Sequence, residues 1–320
     1  MIIENITNPK EIKAVREGVG IALAEIGEKN KDLWVLCADV TESTRMHHFA
    51  EKFPKRFVQV GVAEQNMAGV AAGIAATGKT AVISAYAVFS PGRNWDQIRV
   101  SICYNNVDVK IHASHSGLNV GPDGASHQAL EDIALVRSLP NIIVLAPSDY
   151  LQAKKAVYAA MQHKGPVYLR SPRDKSAVFT TEDAPFEIGK ANIYRDGTDV
   201  AILAHGMMVY ESLLAAEKLK AEGIAAAVLD ISSIKPLDKE TIIKYAKKTG
   251  LIVTVEEHQV HGGMGSAVAE MLAQHCPTKM KIHGVYDRFC ESGELKELFK
   301  KYQFDADGIA SVVKEAMKSK

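Results

Sequence analysis

Short apolar runs rich in β-branched residues recur along this chain, each followed by a stretch long enough for a helix. In the first series the runs fall at 33–37, 57–60, 80–84, 107–113, 142–146 and 167–169. Helical patterns lie among them at roughly 9–29, 64–77, 95–105, 130–138 and 150–163. A strand that is apolar along its whole length is covered on both faces, and helix-length crossovers make its neighbours parallel. The pattern lapses at 171–190, where Ser171-Pro172-Arg173-Asp174-Lys175 and Thr180-Thr181-Glu182-Asp183-Ala184-Pro185 have the composition of a linker. A second series then begins, with strands expected at 199–203, 225–229, 251–255 and 281–283. Its helices are expected near 209–222, 238–248, 266–274, 294–300 and 308–318. The expected fold class is α/β: two consecutive open, mostly parallel sheets with helices on both faces. The first domain is placed at 1–172, the linker at 173–190 and the second domain at 191–320. A length of 320 residues suits two domains.

Composition narrows the function classes. Lys+Arg and Asp+Glu both number 38, so the net charge is zero. A nucleic-acid or polyanion binder would be basic. A neutral chain also lacks one safeguard against self-association. Cys37, Cys103, Cys276 and Cys290 are scattered without a Cys-x-x-Cys pair, so reduced cytoplasmic thiols are expected, not a metal cluster or a disulfide framework. Residues 1–10 lack the charged-then-apolar pattern of a signal peptide, and no apolar run is long enough to span a membrane.

The stretch Gly61-Val62-Ala63-Glu64-Gln65-Asn66-Met67-Ala68-Gly69 follows a strand and opens a helix of small residues, with Ala68, Ala71, Ala72, Gly73, Ala75 and Ala76. Such a helix is too apolar to face water on any side. Glu64, in its first turn, is expected at the edge of a core or of a tight subunit contact. A buried carboxylate must be paired or neutralised. The plainer alternative is a glutamate favoured by the helix dipole.

A second stretch, 111–128, leaves the carboxyl end of a predicted strand, the edge at which open α/β sheets bind ligands. It carries His112, His115, Asp123 and His127, with Gly117, Gly121, Pro122 and Gly124 to shape it. A surface turn with incidental histidines is one reading; a site is the other. Zinc would need these side chains to fold onto one point, and no His-x-x-x-His pair is present. Proton transfer, or hydrogen bonding to hydroxyls and phosphate, suits them better. Tyr86 and Phe89 follow another strand, either as core aromatics or as a platform for a flat nitrogen heterocycle. Arg170 and Arg173 end the last strand of the first series, as exposed salt-bridge partners or as phosphate contacts. In the second series His261-Gly262-Gly263-Met264-Gly265-Ser266 looks like a phosphate loop at a helix start, yet it matches neither Gly-x-Gly-x-x-Gly nor the Walker pattern. Close helix packing or a subunit contact fits these glycines better.

Together these residues resemble the C-terminal half of transketolase over essentially the whole chain: a pyrimidine-binding domain, then the transketolase C-terminal domain. The motifs that carry the resemblance are Gly61-Val62-Ala63-Glu64-Gln65-Asn66-Met67 and Gly121-Pro122-Asp123-Gly124-Ala125-Ser126-His127-Gln128. The first is shared with other thiamine diphosphate enzymes. The resemblance implies thiamine diphosphate as cofactor, with Glu64 at N1′ of its aminopyrimidine. A desolvated carboxyl there would share its proton with the ring and promote loss of the thiazolium C2 proton. The cofactor would then attack a ketose carbonyl, and a two-carbon fragment would pass to an aldose.

Tyr86 and Phe89 resemble the family's aromatic pocket, and Gly92 stands where many members have a further aromatic. Asp39 resembles an aspartate near the cofactor. His115 and His127 resemble the histidines that meet the sugar's phosphate and hydroxyls, and Asp123 the residue that reads a hydroxyl. Arg16, Ser43 and Arg173 fall where the family binds the sugar phosphate.

The family holds the diphosphate and a divalent cation, Mg²⁺ or Ca²⁺, through a Gly-Asp-Gly…Asn motif that does not occur here. The resemblance therefore implies one subunit of a split enzyme, inert by itself. A separate N-terminal-section subunit would complete the cofactor site in an assembly with two copies of each chain, acting on sugar phosphates of pentose phosphate metabolism.

Two enzymes with related patterns are rivals. A 2-oxo acid dehydrogenase β subunit has a matching glutamate, but the 123–128 loop suits polyhydroxylated sugars. Deoxyxylulose phosphate synthase shares Gly-Pro-Asp-Gly, but Ser126-His127-Gln128-Ala129 stands where that enzyme usually has a double histidine. A scaffold subunit that lost the chemistry is the non-enzymatic rival, against which Glu64 and the intact histidine loop argue.

Overall fold

The structure is a computed structural model and describes residues 1–318. In chain order the first series comprises β1 (Ile12–Ala14), α1 (Val15–Lys29), β2 (Leu33–Cys37), α2 (His47–Lys52), β3 (Phe57–Gln59), α3 (Glu64–Ala76), β4 (Thr80–Tyr86), α4 (Trp95–Gln97), β5 (Val109–Ser114), α5 (Asp132–Arg137), β6 (Ile143–Leu145), α6 (Tyr150–Gln162), β7 (Val167–Arg170) and β8 (Lys175–Ala177). The second comprises β9 (Asn192–Arg195), β10 (Val200–Ala204), α7 (Met208–Ala221), β11 (Ala226–Asp230), β12 (Ser233–Lys235), α8 (Lys239–Thr249), β13 (Leu251–Gln259), α9 (Met264–His275), β14 (Lys279–Val285), α10 (Leu295–Lys301) and α11 (Ala306–Lys318).

A seven-stranded sheet has the order β12-β6-β7-β5-β4-β2-β3, and a five-stranded sheet the order β14-β13-β10-β11-β9. Every pairing in them is parallel except β12 with β6 and β9 with β11. The expected α/β class with mostly parallel sheets is the class observed. The central strands explain why: β5, β7, β10 and β11 are buried at every residue, so both faces of each sheet need a helical cover. One core runs through both series, joining Leu36, Ile83 and Ile111 to Leu203, Leu229 and Ile252.

Four local features differ from the sequence pattern. The helix expected from residue 9 starts at Val15, because Ala14 is extended (φ −78°, ψ 135°). Residues 12–14 instead pair antiparallel with 175–177, so part of the stretch read as a linker is a strand. The helix expected at 95–105 is a short α-turn that widens into a π-helix over Ile98–Tyr104. Ser233-Ile234-Lys235, too short and polar to stand out, crosses from the second series to the edge of the first sheet. There Lys235 Nζ donates to the carbonyls of Arg137 and Leu139.

Within the chain the small-residue helix α3 is covered on one face. Met67, Ala68, Ala71, Ala72 and Ala75 are buried. Its other face is open: Gly69 and Gly73 have nothing within 4 Å of where a Cβ would stand. Val62 is 70% exposed, and Val100 and Tyr104 are 43% and 83% exposed. Among the described residues no helix is long and apolar enough to cross a membrane.

Candidate active site

The carboxyl ends of β2, β3, β4, β5 and β7 form one edge of the seven-stranded sheet, and a candidate site residue stands at or after each. Asp39 follows β2, Glu64 follows β3, Tyr86 ends β4, His115 follows β5 and Arg173 follows β7. This is the edge at which open α/β sheets place ligands.

Glu64 is the first residue of α3 and only 2% exposed. Arg93 supplies the pairing that such burial demands: its Nη1 donates to Glu64 Oε2 at 3.0 Å, while Arg93 itself is half exposed. The guanidinium also lies over Phe89, 5.0 Å from the ring centroid. Asn94 is buried and donates to the Glu64 carbonyl at 3.3 Å and to Ser90 Oγ at 3.1 Å. Its own Oδ1 is a buried acceptor with no partner among the described residues.

The aromatic pair and the histidines come together. Tyr86 and Phe89 are nearly parallel, 16° apart with centroids at 6.1 Å. Tyr86 stacks on His115 at 3.8 Å. His127 meets Phe89 edge-on at 5.5 Å and Tyr86 at 6.1 Å, so its loop folds back onto the platform. Gly92 has the Val88 carbonyl 2.0 Å from where its Cβ would stand, a close backbone approach that no larger residue allows.

His115 has φ 56°, a left-handed conformation uncommon outside glycine, and it is held there by contacts on all sides. Arg16 Nη1 lies 3.3 Å from His115 Nε2, and Ser114 Oγ 2.9 Å from Nδ1. A guanidinium only donates, so Nε2 accepts and the ring proton sits on Nδ1. Burial, followed by the nearby charges of Arg16 and Arg173, pushes the His115 pKa down to about 2. The ring is therefore neutral at physiological pH.

Burial, and then repulsion from Arg45 and Arg173, brings the Arg16 pKa down to about 10. Arg16 Nη1 also donates to the Ser43 carbonyl. Arg16 Nε is buried without a partner among the described residues. Converging guanidinium groups with an unused buried donor suit an anion.

Asp39 and Asp123 are exposed and stand apart from these contacts. Asp39 has φ 61°, and its N–H donates to Gln59 Oε1 at 2.7 Å. The carbonyl of Asp123 accepts from Ser126 Oγ at 3.5 Å. His112 is not at the surface of the site. It is buried in β5 between Ser84 Oγ (2.9 Å) and Ser171 Oγ (2.8 Å). Among the described residues no group of three or more His, Cys, Asp or Glu is placed to hold a metal ion.

Arg170 is not an exposed salt-bridge partner. It is buried, with Nε on Asp132 Oδ2 at 2.9 Å and Nη2 on the Glu257 carbonyl at 2.8 Å.

The glycine loop after β13 is also accounted for within the chain. Glu256 Oε2 accepts from Met264 N at 2.8 Å, and Oε1 from Gly265 N at 2.7 Å. The start of α9 thus already has its anion, a buried carboxylate of the same chain. A Cβ on Gly263 would stand 2.4 Å from Glu256 Oε2, and one on Gly262 2.6 Å from Ala134 Cβ. Close packing is what these glycines serve.

Sequence reading missed Arg93, Asn94 and Gln59. Arg93 and Asn94 lie in a turn and Gln59 ends β3, and the partner of each lies 20 to 30 positions away. Only the fold shows those partners.

Comparison with known proteins gives a consistent picture. Residues 12–177 match the family described as "Transketolase, pyrimidine binding domain", and residues 189–309 match "Transketolase, C-terminal domain". A protein of Methanocaldococcus jannaschii assigned by name to a transketolase C-terminal section is 46% identical over 309 residues, 96% of this chain and 97% of that protein. The 6-deoxy-6-sulfo-D-fructose transketolase subunit SqwH of Clostridium sp. (strain MSTE9) is 38% identical over 298 residues, 93% of this chain and 92% of that one. A solved structure described as "Split gene transketolase, inactive beta4 tetramer" superposes with a TM-score of 0.88 at 44% identity, covering 96% of this chain and 99% of that chain. The chain belongs to the transketolase family, among its split subunits.

Proposed function

We propose, from that family membership, that this chain is one subunit of a split thiamine diphosphate-dependent transketolase. Its reaction would move a two-carbon ketol unit from a ketose phosphate to an aldose phosphate, in a cytoplasmic setting and within pentose phosphate chemistry. The observation that carries the reading is a meeting at one sheet edge: a buried glutamate at a helix start, two near-parallel aromatic rings, two histidines and converging arginines.

These residues fit the aminopyrimidine end of thiamine diphosphate. Glu64 offers a carboxylate to a ring nitrogen, Tyr86 and Phe89 offer flat apolar walls, and the buried Asn94 Oδ1 is a free acceptor beside them. When bound, the cofactor supplies the nucleophilic carbon and the electron sink for breaking a C–C bond beside a carbonyl.

The chain's own residues have the remaining roles. Glu64 holds and releases a proton at N1′. Arg93 keeps that carboxylate paired in the chain alone. Tyr86 and Phe89 exclude water from the ring, and Asp39 flanks the cofactor. Arg16, Ser43 and Arg173 hold the sugar phosphate, and Asp123 reads a hydroxyl. His127, with Nδ1 2.9 Å from Ser126 Oγ, moves protons at substrate hydroxyls, and His115, kept neutral by burial, acts at the same place by hydrogen bonding.

The diphosphate and its divalent cation, Mg²⁺ or Ca²⁺, are assigned mainly to a separate N-terminal-section subunit, with two copies of each chain in the assembly. The open α3 face, flanked by Val62, Val100 and Tyr104, supports such a contact because small side chains allow close helix approach. The solved relative, described as an inactive tetramer of one chain type, supports a subunit that is inert without its partner.

The test is reconstitution. This chain, an N-terminal-section subunit, thiamine diphosphate and Mg²⁺ should together transfer ketol units between sugar phosphates, and neither chain alone should do so. An assembled mixture inactive on every ketose and aldose phosphate pair would overturn the reading.

A further inference from the structure

We propose that Glu257, a residue of the second sheet, is a positioning residue for the sugar-phosphate end of the site, acting through Asn119 on Arg173. The inference rests on the reading of Arg173 given above.

Glu257 lies near the end of β13, which continues to Gln259 past a register shift between Val255 and Gln259. That extension carries its side chain out of the second sheet to the turn Leu118–Asp123 of the first half. Glu257 is 3% exposed. Its Oε2 accepts both the backbone N–H and the side-chain Nδ2 of Asn119, each at 2.9 Å. Those two bonds, with a further one from Nδ2 to the Ser116 carbonyl, fix the Asn119 amide so that Oδ1 faces the other way. Oδ1 then accepts from Arg173 N at 2.6 Å and from Asp174 N at 3.4 Å.

Arg173 is gripped at its other end by the same turn, with Nη1 donating to the Val120 carbonyl at 3.0 Å. Both ends of Arg173 thus hang on two adjacent residues, and the first of these hangs on Glu257. The fit is close: a Cβ on Gly117 would stand 2.7 Å from Glu257 Oε2. A second grip comes from the same half of the chain, where Gln128 Nε2 donates to the Glu291 carbonyl at 3.2 Å.

Arg170 donates to the Glu257 carbonyl and Asp132 balances Arg170, so the strand end is held independently of its side chain. Burying a carboxylate is costly, and here burial does raise the Glu257 pKa, against the opposing effect of Asn119 and Arg170. A packed core would be served as well by an apolar residue. Aligning an amide that in turn aligns an arginine needs an acceptor at this point.

The experiment uses the complex reconstituted with its partner subunit and cofactor. D-fructose 6-phosphate and D-fructose serve as donors, and inorganic phosphate binding to this chain is followed by phosphorus NMR. Glu257→Ala should raise KM for the phosphorylated donor about 10-fold with kcat within about twofold, and weaken phosphate binding to match. D-fructose turnover should be unchanged. Glu257→Gln, which keeps the acceptor oxygen, should restore most of the loss. In an Arg173→Ala background Glu257→Ala should add less than about a twofold effect.

A change in kcat alone, an equal loss for both donors, or full multiplication of the two single effects would overturn the proposal. If Glu257→Ala does not fold, Asn119→Ala cuts the same link and is read by the same criteria. If Arg173→Ala alters neither phosphate binding nor KM, the assignment of Arg173 fails first and this inference with it. A normal Arg173 effect without the Glu257 effect sinks only the inference.

Discussion

Two strand ends in this chain run into loops marked by glycine, and they finish differently. After β13, the loop His261–Ser266 begins α9 with its N–H groups turned inward onto Glu256, a carboxylate of the same chain. Burial works against that carboxylate, but His205, His258 and the Gly265 N–H together hold its pKa below the usual range. After β3, β4 and β5, the equivalent edge of the other sheet is left incomplete. Among the described residues Glu64 is paired through a half-exposed arginine, Arg16 Nε and Asn94 Oδ1 are buried without partners, and a face of α3 is bare. Elements of the same kind thus give one closed end and one open end. The closed end takes the anion for its helix start from the chain itself, and the open end keeps a carboxylate, an arginine and a helix face uncovered within the chain.

The sharpest way to break this contrast is Glu64→Gln. The variant should assemble with its partner yet lose turnover by about 10²- to 10⁴-fold, the usual weight of a positioned proton-transfer group. Normal turnover in a steady-state assay would remove Glu64 from the chemistry.

At the closed end the largest effect should be on stability. Glu256→Ala leaves two buried N–H groups and His205 without their acceptor. It should lower the unfolding free energy by about 3 kcal/mol in urea titration. Wild-type stability would mean that the helix start does not depend on this carboxylate.

A third test concerns the layer beneath the open edge. Burial, with the nearby Arg16 charge, pushes the His112 pKa down to about 3, against 6.5 for the free group. The unfolded chain therefore takes up a proton below pH 6.5 that the folded chain refuses. Stability from His112 is complete above pH 6.5 and is lost as pH falls toward 3, amounting to about 2 kcal/mol at pH 5. His112→Gln should flatten the fall in unfolding free energy between pH 7 and 5, and parallel curves would contradict the assignment.

The smallest expected effect is that of His127→Ala. It should cut kcat/KM on sugar phosphates about 10-fold while leaving the cofactor affinity of the complex unchanged. Release of the cofactor would move His127 into the cofactor pocket.

The open end was more legible in the sequence than the closed one, and for a physical reason. Glu64, His115 and His127 stand out because charged and polar residues next to apolar runs have no packing role. The platform of Tyr86 and Phe89 follows from its place at a strand end. Glu256 and Glu257 also follow an apolar run, but their roles were not legible, since their partners at 264–265 and 119 are set by tertiary structure. The glycines at 262–265 suggested a phosphate loop because the same backbone geometry serves any anion, including one from the chain itself. Short strands were lost for a related reason: β12 has three residues, and its pairing with β6 comes from the far side of the molecule. The small residues of α3 read as the edge of a core or of a tight subunit contact, and the chain itself covers one face of the helix.

The most direct test of the central claim, an open half-site completed by a second subunit, is calorimetric titration of thiamine diphosphate with Mg²⁺. The titration is made into this chain alone and into its mixture with an N-terminal-section subunit. The account predicts tight binding in the mixture and none to the chain alone. Tight binding to the chain alone would contradict it, because the site would then be complete without a partner.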